Sequence, residues 1–221
     1  MDKNLKKVIV IGAGGHAAEL DDYIFFDNKF RNSSNGFQIK GFIDDEISKY
    51  EKYSFSAPYL GKISEHRISR EDFYIIGIAN LQFRREIIER FLSQGAHFVS
   101  FIHPDAYISR SSKIGKGVVI APNVNLGPNT KIGEFTMINS RSSIGHDSEV
   151  GKFNFLSPNV CLSGNTIIGD ENLLGINSAT IPGIIIGNRN KIMAGMTISH
   201  NVKDEEVVFF KYKEKIIAVS K

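Results

Sequence analysis

The chain has 221 residues, 42% of them apolar and 23% charged, with 27 basic and 24 acidic side chains. Such proportions exclude whole-chain disorder and suit one or two globular domains with a sizeable core. A net charge of +3, with no basic run longer than two, leaves no electrostatic footprint for nucleic acid, and the one cysteine, Cys161, can build neither an internal disulfide nor a zinc knuckle.

The start of the chain has the outline of a secretory leader, a basic stretch at residues 1–7 and an apolar one at 8–18. Gly12, Gly14 and Gly15 interrupt that run, however, and Glu19, Asp21 and Asp22 stand where a small-residue cleavage site belongs. No apolar stretch approaches the roughly 18 residues of a membrane span. The expectation is a cytoplasmic protein with no membrane insertion.

Residues 1–100 read as an alternating strand and helix domain. The continuous apolar run at 8–11 predicts a buried parallel strand, ending in Gly12-Ala13-Gly14-Gly15-His16 before a helix over 17–26. A polar loop is expected at 28–36. A second strand at 39–43 ends at Asp44-Asp45, and a third at 73–78 ends at Ala79-Asn80. An amphipathic helix over 83–94 follows, with Gly95 as its stop. Residues 48–69 are too mixed to assign to any element.

From residue 101 to the end the grammar changes. Stepping by six from Ile102 to Ile198 gives 17 positions, of which 16 are Ile, Leu or Val; Thr180 is the exception. Those three types supply 53 of the 221 residues, so chance predicts about four. Four residues after the aliphatic one comes mostly a small or β-branched side chain, as at Ser112, Val118, Thr130 and Ser148. A period of six fits neither a helix nor a hairpin meander. It predicts a hexapeptide solenoid in which three hexads close a triangular coil of 18 residues, the aliphatic residue fills the interior and Gly or Asn relieves the turn. The asparagines at 123, 125, 129, 139, 154, 159, 165, 172 and 177 are expected at such turns. Thr180, beside Ile181-Pro182-Gly183, is expected to break the phase.

Five segments occur in order: Gly12-Ala13-Gly14-Gly15-His16, Phe42-Ile43-Asp44-Asp45, Ile102-His103-Pro104, Ile144-Gly145-His146-Asp147 and Gly175-Ile176-Asn177-Ser178. With the hexads, the chain resembles the bacterial sugar acyltransferases that join a Rossmann-like N-terminal α/β domain to a left-handed parallel β-helix. That group holds the nucleotide-amino-sugar N-acetyltransferases and the sialic acid O-acetyltransferases of the NeuD type. The resemblance runs to about residue 201. It implies a homotrimer that transfers an acetyl group from acetyl-CoA to the amine of a UDP-, dTDP- or GDP-linked 4-amino sugar for surface glycans, without a metal. It further implies coenzyme A in the groove between neighbouring β-helices, with Phe155, Ile176, Ala194 and Gly195 at positions that touch the pantetheine arm. Two departures stand out. Val207-Val208-Phe209-Phe210-Lys211-Tyr212-Lys213 replaces a Gly-x-Pro-Ala-Lys-like end, and Phe155 stands where some relatives carry histidine.

Amide formation from a thioester needs a base for the proton the amine sheds, and histidine suits that role near neutral pH. Of six histidines, only His146 and His200 follow a hexad aliphatic by two residues, at an outward corner. They lie three coils apart, about 14 Å at the usual strand spacing, and cannot serve one reacting atom. His146 has Asp147 beside it to orient the ring and matches the family's catalytic position; a solvated turn histidine is the bland reading. Gly14, Gly15 and His16 open a helix and suit a pyrophosphate, or make a plain tight turn. The last dinucleotide-fingerprint glycine is Ala17 instead, which disfavours a dehydrogenase. Asp44 and Asp45 would meet the nucleoside at the same crevice, and the resemblance adds Ala79 and Asn80 to it. Asn139 is a candidate for the sugar or the amine, or a turn asparagine. A sialic-acid-type O-acetyltransferase is the alternative on the same fold. A β-helical carbonic anhydrase would need three histidines close in register, and an ice-binding solenoid would need flat threonine arrays; neither is present.

Overall fold

A computed structural model describes residues 5–28 and 36–210. The loop expected at 28–36, the chain's first four residues and the tail from 211 onward lie wholly or mostly outside the described residues. The apolar run at 8–11 sits in β1 (Lys6–Ile11), the middle strand of a parallel sheet with β2 (Phe37–Ile43), β3 (Tyr59–Gly61), β4 (Phe73–Ile76) and β5 (His97–Phe98). The strand order is β3-β2-β1-β4-β5. Val8, Val10 and Ile11 are fully buried, as a strand covered on both faces requires. Among the described residues three α-helices complete the unit: α1 (Gly15–Phe26), α2 (Ile47–Glu51) and α3 (Leu81–Ser93). Asn80 caps α3 by accepting from the Gln82 N–H at 2.9 Å, and Gly95 past its end has φ +86°. α1 starts two residues before the expected point, on the glycine loop itself. α2 and β3 arise in the stretch that resisted assignment.

The second half is a left-handed β-helix. Seventeen two-residue strands run from Phe101–Ile102 to Thr197–Ile198, one per expected hexad, and Val207–Val208 adds another. Strands 18 residues apart pair in parallel, as Asn125↔Ser143 and Leu126↔Ile144 do, forming three flat faces. Ile120, Leu126, Ile138, Ile144 and Leu156 are fully buried in the interior column. Each contributes roughly 1.5–3 kcal/mol by leaving water. Ile102, at the open lower end of the solenoid, is 40% exposed because no coil lies beneath it.

Every sixth residue from Gly117 to Gly195 has positive φ, between 56° and 75°. Asn123, Asn129, Asn159, Asn165 and Asn177 occupy such turns, as expected of a residue that tolerates left-handed backbone. The other asparagines correct the expectation. Asn154 and Asn172 are buried and, with Asn190, form an internal ladder in which Asn172 Nδ2 donates to Asn154 Oδ1 at 3.0 Å. Asn125 lies on a strand, and Asn139 is buried just after one. Thr180 also corrects the reading, because it keeps the phase. Its hydroxyl accepts from the Ser163 N–H at 3.0 Å and its carbonyl from Ser163 Oγ at 2.7 Å, so the irregularity is local to that rung.

One face of the β-helix packs on the sheet layer. Phe101, Val119, Met137 and Phe135 are buried in a single cluster with β1, β2 and β4. Phe98 meets Phe135 edge-on at 5.2 Å, and Phe135 stacks on Phe153 at 5.3 Å. Arg84 of α3 is fully buried there and donates through Nη2 to the Phe135 carbonyl. That burial pushes its pKa down to about 9.

Candidate active site

Chain topology marks the first place to look. After β1 the chain turns to β2 on one side, and β4 later lies on the other, which opens a crevice at the carboxyl ends of the strands. A cavity of about 580 Å³ fills that crevice, and Gly14, Gly15, His16, Asp44, Asp45, Ala79 and Asn80 all line it. Seven sequence-predicted residues therefore meet at one site. Gly12 has φ +106°, and a Cβ there would sit 2.8 Å from Ile78, so the turn requires glycine. Asp44 is committed to this turn. Its Oδ2 accepts from the Ala13 N–H at 2.9 Å and its Oδ1 from the Glu46 N–H at 3.0 Å. Asp45 is more open. Partial burial pushes its carboxyl up, but the Ser64 N–H and hydroxyl together with Arg90 and Lys62 outweigh this and hold it below the usual range. One Asp45 oxygen is bound by Ser64, and the other has no hydrogen bond to a described residue and can accept from a ligand.

His16 lies at the seam between the two halves. Its Nδ1 stands 3.1 Å from Glu19 Oε2, and its ring meets Phe155 edge-on at 6.2 Å. Its buried Nε2 has no partner among the described residues. Phe155 is thus half-buried against the sheet layer, beside the crevice, and not at the corner that carries Ile176 and Ala194.

The second place is the corner that follows the strand Ser143–Ile144. His146 projects from it with 61% of its side chain exposed, and its Nδ1 lies 2.8 Å from Asp147 Oδ2. An ionised carboxylate only accepts, so in the neutral ring the proton belongs on Nδ1 and the Nε2 lone pair is left free. Asp147 sits at a left-handed turn, φ +56°, and its Oδ1 accepts from Asn129 Nδ2 at 2.9 Å. The Asn129 bond, then the His146 bond, hold the Asp147 carboxyl below its ordinary range. One coil above, a Cβ at Gly164 would lie 2.7 Å from His146 Nε2, so the imidazole lies over bare backbone. His200, on the same corner three coils on, has Ser199 Oγ at 3.0 Å as its hydrogen-bond partner among the described residues.

The outward amides at these corners tell more. On the His146 corner, Pro128 and Pro182 have no N–H, while the N–H groups of His146 and Gly164 bond to no described residue. On the corner after Leu173–Leu174 and Lys191–Ile192, the uncommitted amides belong to Ile176 and Ala194. On the third corner, the Asp170, Asn188 and Asp204 side chains cap the N–H groups of Lys152, Asp170 and Asn188. Asn139 lies on the Ile176 corner, with its Oδ1 turned back to the Ser140 N–H at 3.0 Å. His146 and the residues Ile176, Ala194, Gly195 and Asn139 therefore occupy different edges of one prism.

Sequence reading missed four residues. Asn129 and Gly164 lie 18 residues from Asp147 and His146, so coil arithmetic alone finds them. Lys49 and Phe83, which line the crevice, lie on helices that carry no motif. Lys49 is held above its ordinary pKa, chiefly by its hydrogen bond to Glu46.

Residues 7–91 match the model of the PglD N-terminal domain. The acetyltransferase domain of PglB from Neisseria gonorrhoeae FA1090, in complex with acetyl coenzyme A, is 26% identical with a TM-score of 0.80, over 92% of this chain and 96% of that one. The chain thus carries an N-terminal segment like the PglD N-terminal domain and is similar over nearly its whole length to an acetyltransferase domain. A UDP-N-acetylbacillosamine N-acetyltransferase of Bacillus subtilis (strain 168) is 26% identical to this PglD-like chain over 118 residues, 52% of the chain and 51% of that enzyme. The match thus spans about half the length of this curated relative. PerB from Caulobacter crescentus, solved with CoA and GDP-perosamine, is 22% identical with a TM-score of 0.77, over 94% of this chain and 95% of that one, and shares the fold of this PglD-like chain. No helix among the described residues is long and apolar enough to cross a membrane.

Proposed function

We propose that the protein is an acetyl-CoA-dependent N-acetyltransferase acting on the amine of a nucleotide-linked amino sugar, working as a homotrimer. The Asn129–Asp147–His146 array over the bare backbone of Gly164 carries this reading. The nucleotide lies in the crevice lined by Gly14, Gly15, His16, Asp45, Ala79 and Asn80, with Asp44 bracing the turn. Coenzyme A lies along a β-helix edge, its pantetheine arm against the free amides of Ile176 and Ala194. Similarity to enzymes named as N-acetyltransferases of amino sugars supports the amine as acceptor.

In the reaction the neutral amine attacks the thioester carbonyl carbon while His146 Nε2 takes the proton the nitrogen loses. Asp147 holds the ring in the required tautomer and stabilises its protonated form, and Asn129 keeps Asp147 ionised. The uncommitted Gly164 N–H, one coil from His146, is a donor for the charge that grows on the carbonyl oxygen. As the C–S bond breaks, the proton on His146 passes to the departing sulfur, so base and acid are one group.

Incubation with acetyl-CoA and a panel of UDP-, dTDP- and GDP-linked amino sugars, following release of free thiol, tests the reading. At least one amino sugar is expected to react. Reaction of free sialic acid with none of the amino sugars would replace it by O-acetylation.

A further inference from the structure

The nucleotide crevice has a charge problem. Asp44, Asp45, Glu46 and Glu86 put four carboxyl groups on its wall, against a single lysine, Lys49. The α1 N-terminus supplies only about half a positive charge to an incoming diphosphate. Lys49 Nζ lies 3.0 Å from Glu46 Oε1 and 3.8 Å from Asp44 Oδ1. Because Asp44 Oδ2 holds the Ala13 N–H, the ammonium stands one carboxylate away from the glycine turn. The Lys49 and Glu46 side chains are 47% and 63% exposed, so the pair can separate without opening the core. A second observation points to the same glycine loop. Tyr53, one turn beyond Lys49, sets its hydroxyl over the loop, where a Cβ on Gly15 would lie 3.1 Å from Tyr53 Oη. That hydroxyl has no hydrogen bond to any described residue.

We infer that Lys49, together with the Tyr53 hydroxyl over the glycine loop, clamps the diphosphate of the nucleotide-sugar, and that Glu46 competes for Lys49 while the crevice is empty. This rests on the crevice being the nucleotide site and not on acetyl transfer itself. Competition makes the two partners of one ion pair act with opposite sign. Removing Lys49 removes a charge-assisted bond to phosphate. Removing the Glu46 charge frees the lysine for that bond.

Calorimetric titration of the full chain with UDP against UMP, and GDP against GMP, reads the clamp directly. The wild type should prefer the diphosphate of at least one pair by about tenfold or more, the worth of one charge-assisted bond. Lys49→Met should abolish most of that preference while leaving monophosphate affinity nearly unchanged, and Lys49→Arg should keep it. Glu46→Gln should tighten diphosphate binding severalfold, and Tyr53→Phe should weaken it severalfold. Added salt should erode the wild-type preference and leave Lys49→Met indifferent. No preference in either wild-type pair, equal losses for mono- and diphosphate in Lys49→Met, or weaker binding in Glu46→Gln would each overturn the clamp. A chain that shows the preference yet transfers no acetyl group upholds the clamp and refutes the acetyltransferase reading.

Discussion

At the scale of single residues, the His146 array makes three expectations. His146→Ala should lower kcat by about 10²–10⁴, the usual worth of a positioned base, while His200→Ala, with no carboxylate partner, should be nearly silent; equal losses in steady-state assays would refute the assignment. Gly164→Ala is a subtler change. The atom its Cβ meets is the far end of the His146 side chain, so the imidazole must move and the backbone need not. A loss of kcat of about tenfold or more with an unchanged melting temperature is expected, since small displacements of a catalytic group cost heavily. Asn129→Ala removes the largest cause that lowers the Asp147 pKa. A carboxylate with a depressed pKa stays ionised, and useful, until the pH falls through its folded value. In the variant that value rises, so activity should begin to fall at a higher pH on the acid side; the carboxyl resonance of Asp147 followed by NMR should titrate higher too. Much of this site is legible in the sequence, because His146, Asp147 and their corner follow from counting in sixes. Asn129 and Gly164 are legible by the same count in eighteens. Asp44 is the opposite case. Its type and position are visible, but only the fold reveals that both of its oxygens are spent on the turn and on Glu46.

At the scale of elements, the coil reads more clearly than the helices because each hexad repeats the same physical demand. Buried aliphatics, corner residues and left-handed turns recur at fixed offsets, and seventeen repeats average out exceptions such as Thr180. Residues 48–69 offer no repetition, and α2 is one short turn with no buried residue, so periodicity cannot reveal it. Asparagine misleads for another reason: one residue type serves two ends. At left-handed turns it eases backbone strain, whereas Asn154, Asn172 and Asn190 satisfy buried backbone groups. Asn172 alone accepts from the Asn190 N–H at 2.8 Å and donates to Asn154 Oδ1 and the Gly187 carbonyl. Asn172→Ala leaves those buried groups unpaired and should destabilise the protein by about 3 kcal/mol. Asn125→Ala, on an exposed strand position, should cost under about 0.5 kcal/mol. Denaturant midpoints compare the two, and a similar small shift for both would show that the ladder is dispensable.

At the scale of the whole molecule, the proposed homotrimer follows from the positions of His146 and of the coenzyme candidates on different edges of one prism. The solenoid interior is filled by Ile, Leu and Val, so chemistry must lie outside it. His146 sits on one edge of the prism, and Ile176 and Ala194, with their free amides, on another, separated by the face that carries Ser143, Cys161 and Ala179. A convex edge cannot enclose a thioester, but the groove between the edges of two packed prisms can. In the proposed homotrimer, three copies in head-to-tail contact would bring the His146 edge of each to the Ala194 edge of the next and close the ring about a threefold axis. Complementation tests this arrangement. A His146→Ala chain lacks the base, and an Ala194→Trp chain has an indole over the coenzyme edge; each homotrimer should be inactive. In mixed trimers some grooves combine an intact His146 from one chain with an intact Ala194 from its neighbour. Co-refolded or co-expressed mixtures should then regain a substantial fraction of wild-type activity, at most about a quarter per site if equal amounts mix at random and each site needs two good halves. Activity no higher than the parents in a mixture shown by mass spectrometry to contain mixed trimers would place the whole site on one chain, and a fully active monomer in sedimentation would remove the shared groove altogether.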